Sequence, residues 1–178
     1  MSQVSKVNYV NSKLGATMPG QQTTRYIYDS VTSAAAQSFY NFFETFAGKT
    51  DLQTNLTTNR LDSSESMVIK SIYVGCNLAS TLSGHSNLNI TVGNQVVLKD
   101  FNLAFNAGSR GVAFDRLHSG LNSTDIVEVR LLTDIVIPPQ VSFSATLQLA
   151  EGAAVGAGEN ITLGLKGYGV IFSAGNTF

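Results

Sequence analysis

The stretch Val141-Ser142-Phe143-Ser144-Ala145-Thr146-Leu147-Gln148-Leu149 alternates without a break. Val141, Phe143, Ala145, Leu147 and Leu149 fall on one side, and Ser142, Ser144, Thr146 and Gln148 on the other. Side chains of an extended chain point alternately to opposite faces, so this is a half-buried β-strand with one wet face. Pro138-Pro139 stands just before it, where proline opens a strand without removing a ladder bond.

The same two-residue period extends through most of the chain. Leu88, Ile90 and Val92 alternate with Asn89 and Thr91, and Gly93-Asn94 then leads into Gln95-Val96-Val97-Leu98. A two-residue Gly-Asn link whose first residue takes a positive φ predicts a β-hairpin. Residues 67–74 and 126–132 are rich in β-branched side chains; in the second, Ile126, Glu128, Arg130 and Leu132 share a face. Residues 161–172 form the last strand candidate, with Ile161, Leu163, Leu165 and Ile171 on one face. Gly164, Gly167 and Gly169 thin it out, which marks bulges or close backbone approach. Shorter candidates are residues 101–105 and 111–114.

Residues 31–46 (VTSAAAQSFYNFFETF) allow two readings. Phe39, Phe42, Phe43 and Phe46 at helical spacing after three alanines fit an amphipathic helix. The aromatic density and the strand pattern of the rest of the chain favour a buried strand. Seven or eight short strands with turns between them, and no long helix, predict an all-β antiparallel sandwich or barrel. Eight strands in about 145 residues suit an eight-stranded jelly-roll sandwich. Residues 151–158 (EGAAVGAG) read as the loop between the last two strands.

Residues 1–28 differ from this pattern. They carry Lys6, Lys13 and Arg25 with no acidic residue, and Gly15, Pro19 and Gly20 interrupt them. The division expected is an extended N-terminal arm, 1–28, and a single jelly-roll domain, 29–178. Fully extended, ~25 residues at ~3.3 Å each reach about 80 Å.

Composition narrows function by exclusion. The 178 residues are 43% hydrophobic but only 13% charged, with a net charge of −1. Ser, Thr and Asn supply 49 residues in place of charge. Apolar content this high excludes a disordered chain, and near-neutrality excludes charge-driven nucleic-acid binding by the whole domain. A near-neutral surface of small polar groups resists association poorly, which points to a protein that packs against something. Cys76 is the only cysteine, so an internal disulfide and a cysteine-based zinc site are excluded. Residues 1–7 show no apolar h-region, so no secretory signal is expected, and no apolar run approaches the ~18 residues of a membrane helix. Asn-x-Thr triplets begin at Asn55, Asn89, Asn122 and Asn160. Chance alone gives about three, so they reflect composition.

The search for chemistry finds little. Ala47-Gly48-Lys49-Thr50 matches the end of a phosphate-binding loop, but Phe43 stands where the motif needs its first glycine. Gly156 and Gly158 begin a dinucleotide fingerprint that fails at Ile161. His85 and His118, the two histidines, lie in loop-like stretches and lack the spacing of metal ligands. No Gly-x-Ser-x-Gly elbow occurs. Asp115 with Arg116, and Glu128 with Arg130, read as surface ion pairs worth about 1 kcal/mol at most. The absence of Trp gives little support to a sugar-binding face of exposed aromatics. Neither catalysis nor a cofactor or metal is expected.

The run Phe42-Phe43-Glu44-Thr45-Phe46-Ala47-Gly48-Lys49-Thr50, then Thr54-Asn55-Leu56 and Met67-Val68-Ile69-Lys70-Ser71-Ile72, resembles the first strands of single jelly-roll capsid and virion proteins of tailless icosahedral bacteriophages. The passage through Ile135-Val136-Ile137-Pro138-Pro139 into residues 141–149 is similar to late strands of such proteins. The likeness covers about 110 residues and rests on pattern rather than on a diagnostic signature. It implies a virion structural subunit, made in a host cytoplasm, that assembles with copies of itself and with other virion proteins. In that setting Lys6, Lys13 and Arg25 of the arm would face nucleic acid inside a shell or a neighbouring subunit. The competing expectation is a receptor- or glycan-binding jelly roll, as in a spike or fibre head, using the loops at 80–87 and 104–122.

Overall fold

The computed structural model describes residues 20–76, 86–103, 115–116, 125–150 and 155–172. Among them nine strands and no helical element occur: β1 (Gly20–Thr32), β2 (Phe39–Phe42), β3 (Glu65–Cys76), β4 (Ser86–Val92), β5 (Gln95–Asn102), β6 (Asp115–Arg116), β7 (Asp125–Ile137), β8 (Phe143–Leu149) and β9 (Asn160–Phe172). They form two antiparallel sheets, ordered β1-β9-β3-β7-β6 and β2-β8-β4-β5. The chain changes sheet at every connection except the β4–β5 and β6–β7 steps. Each sheet therefore receives strands from distant parts of the sequence.

The core is the layer between the two sheets. Ile27, Ile69, Ile72, Leu163 and Leu165 enter it from the first sheet, and Phe42, Leu88, Ile90, Phe143 and Leu147 from the second. Removing each such side chain from water is worth about 1.5–3 kcal/mol, so this layer dominates the stability. β8 keeps the expected alternation, with Phe143, Ala145, Leu147 and Leu149 buried. β9 buries Ile161, Leu163 and Leu165 as expected, but Ile171 at its far end is 43% exposed. The β4–β5 hairpin turns at Gly93 with φ 60°, a conformation that costs a glycine least.

Two expectations are corrected. Residues 20–28, assigned to the arm, are the first part of β1, which pairs with β9 along its whole length from Gly20↔Phe172 to Thr32↔Asn160. Ile27 is fully buried within it. The arm reading missed this strand because Gln22, Thr23 and Thr24 give it no apolar alternation before Tyr26. Residues 31–46 are neither one helix nor one strand. β1 ends at Thr32, an exposed turn holds Ala34 to Ala36, and β2 begins in the other sheet. Ala36 takes φ 57°, and the Gln37 side chain accepts the Ala34 amide at 2.9 Å. The phenylalanines then separate: Phe42 and Phe43 enter the core while Phe39 is 48% exposed, a distribution no single helical stripe provides.

β3 carries the main irregularity. Its register shifts between Ile69 and Ser71 against both neighbours, β7 and β9. Ile69 and Ile72 both enter the core, so Lys70 and Ser71 together leave it, as in a β-bulge. Opposite the bulge, Ile69 pairs with Ile135 and Ser71 with Arg130, so residues 131–134 of β7 leave the ladder. Gly167 faces this point because a Cβ there would collide with the Val68 carbonyl oxygen.

Candidate functional site

Of the arm residues singled out, Lys6 and Lys13 lie outside the described residues, as do His85, His118 and most of the loops at 80–87 and 104–122. Arg25 is not an arm residue. It stands in β1 and its guanidinium bonds Glu65 of β3 at 2.9 Å. To reach it the side chain crosses β9 at Gly169, where a Cβ would press on Arg25 and Thr23. Glu128 and Arg130, expected to pair, are not joined by an ion pair. Among the described residues the ion pairs Lys49–Asp29, Lys70–Asp134 and Arg25–Glu65 link residues far apart in sequence.

One side of the sandwich is closed by its own loop. The free edge of β1 is covered by residues 51–55, where Ser30 N–H donates to the Gln53 carbonyl at 2.7 Å. The Asn55 side chain completes the cover: its Oδ1 accepts Tyr28 N–H at 3.0 Å, and its Nδ2 donates to the Tyr26 carbonyl at 2.6 Å. An amide side chain thus stands in for a strand neighbour. Thr54 Oγ1 adds a bond to the Tyr28 carbonyl, and the Tyr28 hydroxyl donates to the Asp51 carbonyl. Asp29 anchors the loop from beneath. It is fully buried and accepts the Phe43 N–H at 2.7 Å and the Lys49 ammonium at 2.6 Å. Lys49, the residue that imitated a phosphate-binding lysine, is therefore committed to an internal carboxylate.

The opposite side has no such cover among the described residues. Among the described residues β5 has one strand neighbour, β4, and its other edge is bare. Val96 and Val97 on it are 55% and 42% exposed, and Leu132 in the β7 excursion is 82% exposed. Between the two lies a groove of about 460 Å³, walled by Val97, Leu98 and Phe101 on one side and by Leu131, Leu132 and Ile135 on the other. Lys70 fixes the excursion by donating to both Asp134 oxygens, at 2.7 and 2.6 Å. Burial raises the Asp134 carboxyl above its ordinary value, so the lysine contact opposes a desolvation cost. An apolar edge strand with unpaired backbone groups is a template for another chain.

The outer face of the five-stranded sheet carries a polar cleft of about 420 Å³ around the β3 bulge. Lys70 and Ser71 reach it from β3, Lys166 and Tyr168 from β9, and Glu128 and Arg130 from β7. Beside it Tyr26 packs on Tyr28 and Tyr73, with ring centroids 5.7 and 5.8 Å apart, over Gly164, where a Cβ would meet the Tyr26 ring. Burial, chiefly, raises the Tyr26 hydroxyl above its ordinary value. Lys166 donates to the Tyr73 hydroxyl at 2.9 Å, and that hydrogen bond raises its pKa. Sequence reasoning missed this cleft. The signal present was Lys70-Ser71 interrupting the apolar run of β3.

Among the described residues no group of three or more His, Cys, Asp and Glu stands close enough to hold a metal ion, and Cys76 is buried and free of disulfide. No helix among them is long and apolar enough to cross a membrane. No family model matches the chain, and no curated protein matches it. Among solved structures the chain is similar to the cyanophage Pam1 capsid asymmetric unit, at 13% identity and a TM-score of 0.30, over 84% of this chain and 86% of that one. A likeness at that identity and score carries no argument by itself.

Proposed function

We propose that this protein is a virion structural subunit that assembles with copies of itself, and that its sandwich is a jelly roll. The order β1-β9-β3-β7 facing β2-β8-β4-β5, wound by connections that pass from sheet to sheet, supports the jelly-roll reading. The observation that carries the assembly reading is the asymmetry of the sheet edges among the described residues: the β1 edge is sealed by residues 51–55, while nothing described covers the β5 edge or the groove beside β7. A head-to-tail shell needs patches that join subunits without closing on one molecule, and many modest contacts suffice because each subunit has several neighbours. Low surface charge leaves such contacts unopposed. The resemblance of residues 42–72 and 135–149 to phage virion proteins points the same way.

The arm belongs to this proposal as residues 1–19, with Lys6 and Lys13 facing nucleic acid or a neighbouring subunit. Two cations contribute only a modest, salt-dependent affinity. Electron microscopy of the concentrated full chain tests the reading: particles or regular oligomers are expected. A chain lacking residues 1–19 keeps β1 and is expected to fold but assemble poorly. Monodisperse single subunits of the full chain under every salt condition would overturn the proposal.

A further inference from the structure

The cleft on the outer face of the five-stranded sheet opens on a different face from the groove beside β5, although Arg130 borders both, and the assembly reading gives it no role of its own. Its construction is specific. The β3 bulge turns two consecutive side chains, Lys70 and Ser71, to the same face, and Gly167 beneath them contributes backbone but no side chain. The result is a depression in an otherwise continuous sheet, of a volume that suits one or two sugar rings.

The charges within it are unequal in availability. Lys70 is held by Asp134, and Lys166 is held by the Tyr73 hydroxyl. Arg130 is exposed on β7 and forms no ion pair among the described residues, so its planar fork is offered outward. A guanidinium in that state binds a planar carboxylate by two parallel hydrogen bonds. Glu128, two residues earlier on the same face, accepts hydrogen bonds and donates none when ionised. It suits the hydroxyl groups of a sugar, donors that the phosphodiester group itself lacks. Ser71 and Thr24 supply hydroxyls of either sense, and the half-buried Tyr168 ring supplies an apolar wall.

We infer that this cleft binds a carboxylate-bearing sugar, with the sugar carboxylate on Arg130 and its hydroxyls on Glu128 and Ser71. The inference goes beyond the assembly reading, and the two fail separately: one concerns sugar binding by the soluble chain, the other its oligomeric state.

The test is a titration of the full chain, followed by NMR shifts, with methyl glucuronide, with methyl glucoside as the matched neutral sugar, and with a short oligothymidylate as a phosphodiester. The glucuronide is expected to saturate and to bind at least ~tenfold more tightly than the glucoside. Arg130→Gln should abolish that preference. Glu128→Gln should weaken the glucuronide about fivefold or more. Both positions are at the surface, and unchanged spectra away from the cleft show that the variants are folded. The inference is overturned by no saturation below about 10 mM glucuronide. Equal binding of the two sugars, an unchanged Arg130→Gln variant, or oligothymidylate binding as tight as that of the glucuronide would each overturn it too.

Discussion

The two sides of this sandwich solve the same problem differently. Both end in strands whose outward backbone groups lack a strand partner, β1 on one side and β5 on the other. At β1 the chain spends a long connection, residues 43–64, on covering the edge. It uses an Asn amide as a false strand, a buried Asp as anchor, and Lys49 to neutralise it. At β5 nothing comparable is present among the described residues, and valines stand exposed along the bare edge. Soluble proteins ordinarily blunt exposed edges because such edges recruit other chains. On the proposed assembly, sealing the β1 edge and leaving the β5 edge apolar would direct association to the β5 side.

Breaking the sealed side has the largest expected effect. Asp29→Ala removes the acceptor of the Phe43 N–H and leaves Lys49 without its buried counter-charge, a loss of about 3–5 kcal/mol by denaturant unfolding. The companion Lys49→Met removes the charge from the other end and should cost less, since Asp29 keeps its bond to Phe43 N–H. Asn55→Ala leaves the anchor intact but removes both bonds of the false strand, for about 1–2 kcal/mol. It also bares β1, so association read by light scattering should rise even as stability falls. The open side predicts the reverse. Val97→Lys lies on an exposed edge and should change unfolding by no more than about 0.5 kcal/mol. It should nevertheless lower self-association at least ~tenfold, because a lysine on an edge strand opposes strand addition.

Legibility followed the same division. β8 and the β4–β5 hairpin were readable because one wet face and one dry face impose strict alternation, and because Gly93 is needed where φ is positive. β1 was not, since an edge strand that is half covered by a polar loop has no alternation to read until Tyr26 and Ile27. The Asp29–Lys49 pair joins β1 to the loop after β2, across a change of sheet, and no local spacing announces it. The outer cleft left a trace in the Lys70-Ser71 interruption. A two-residue period does not tell a bulge from a strand end, so its partners on β7 and β9 became visible only with the register. The histidines and the surface loops, where recognition was expected, lie outside the described residues.

The central claim is that association runs through the β5 edge and the groove beside β7. Light scattering coupled to size-exclusion chromatography, on the wild-type chain and on a variant carrying Val97→Lys and Leu132→Glu together, tests it most directly. Wild-type mass should climb above that of one subunit as concentration rises, while the double variant stays a folded single subunit. A wild-type chain that remains single at every concentration, or a double variant that assembles as the wild type does, would contradict the account.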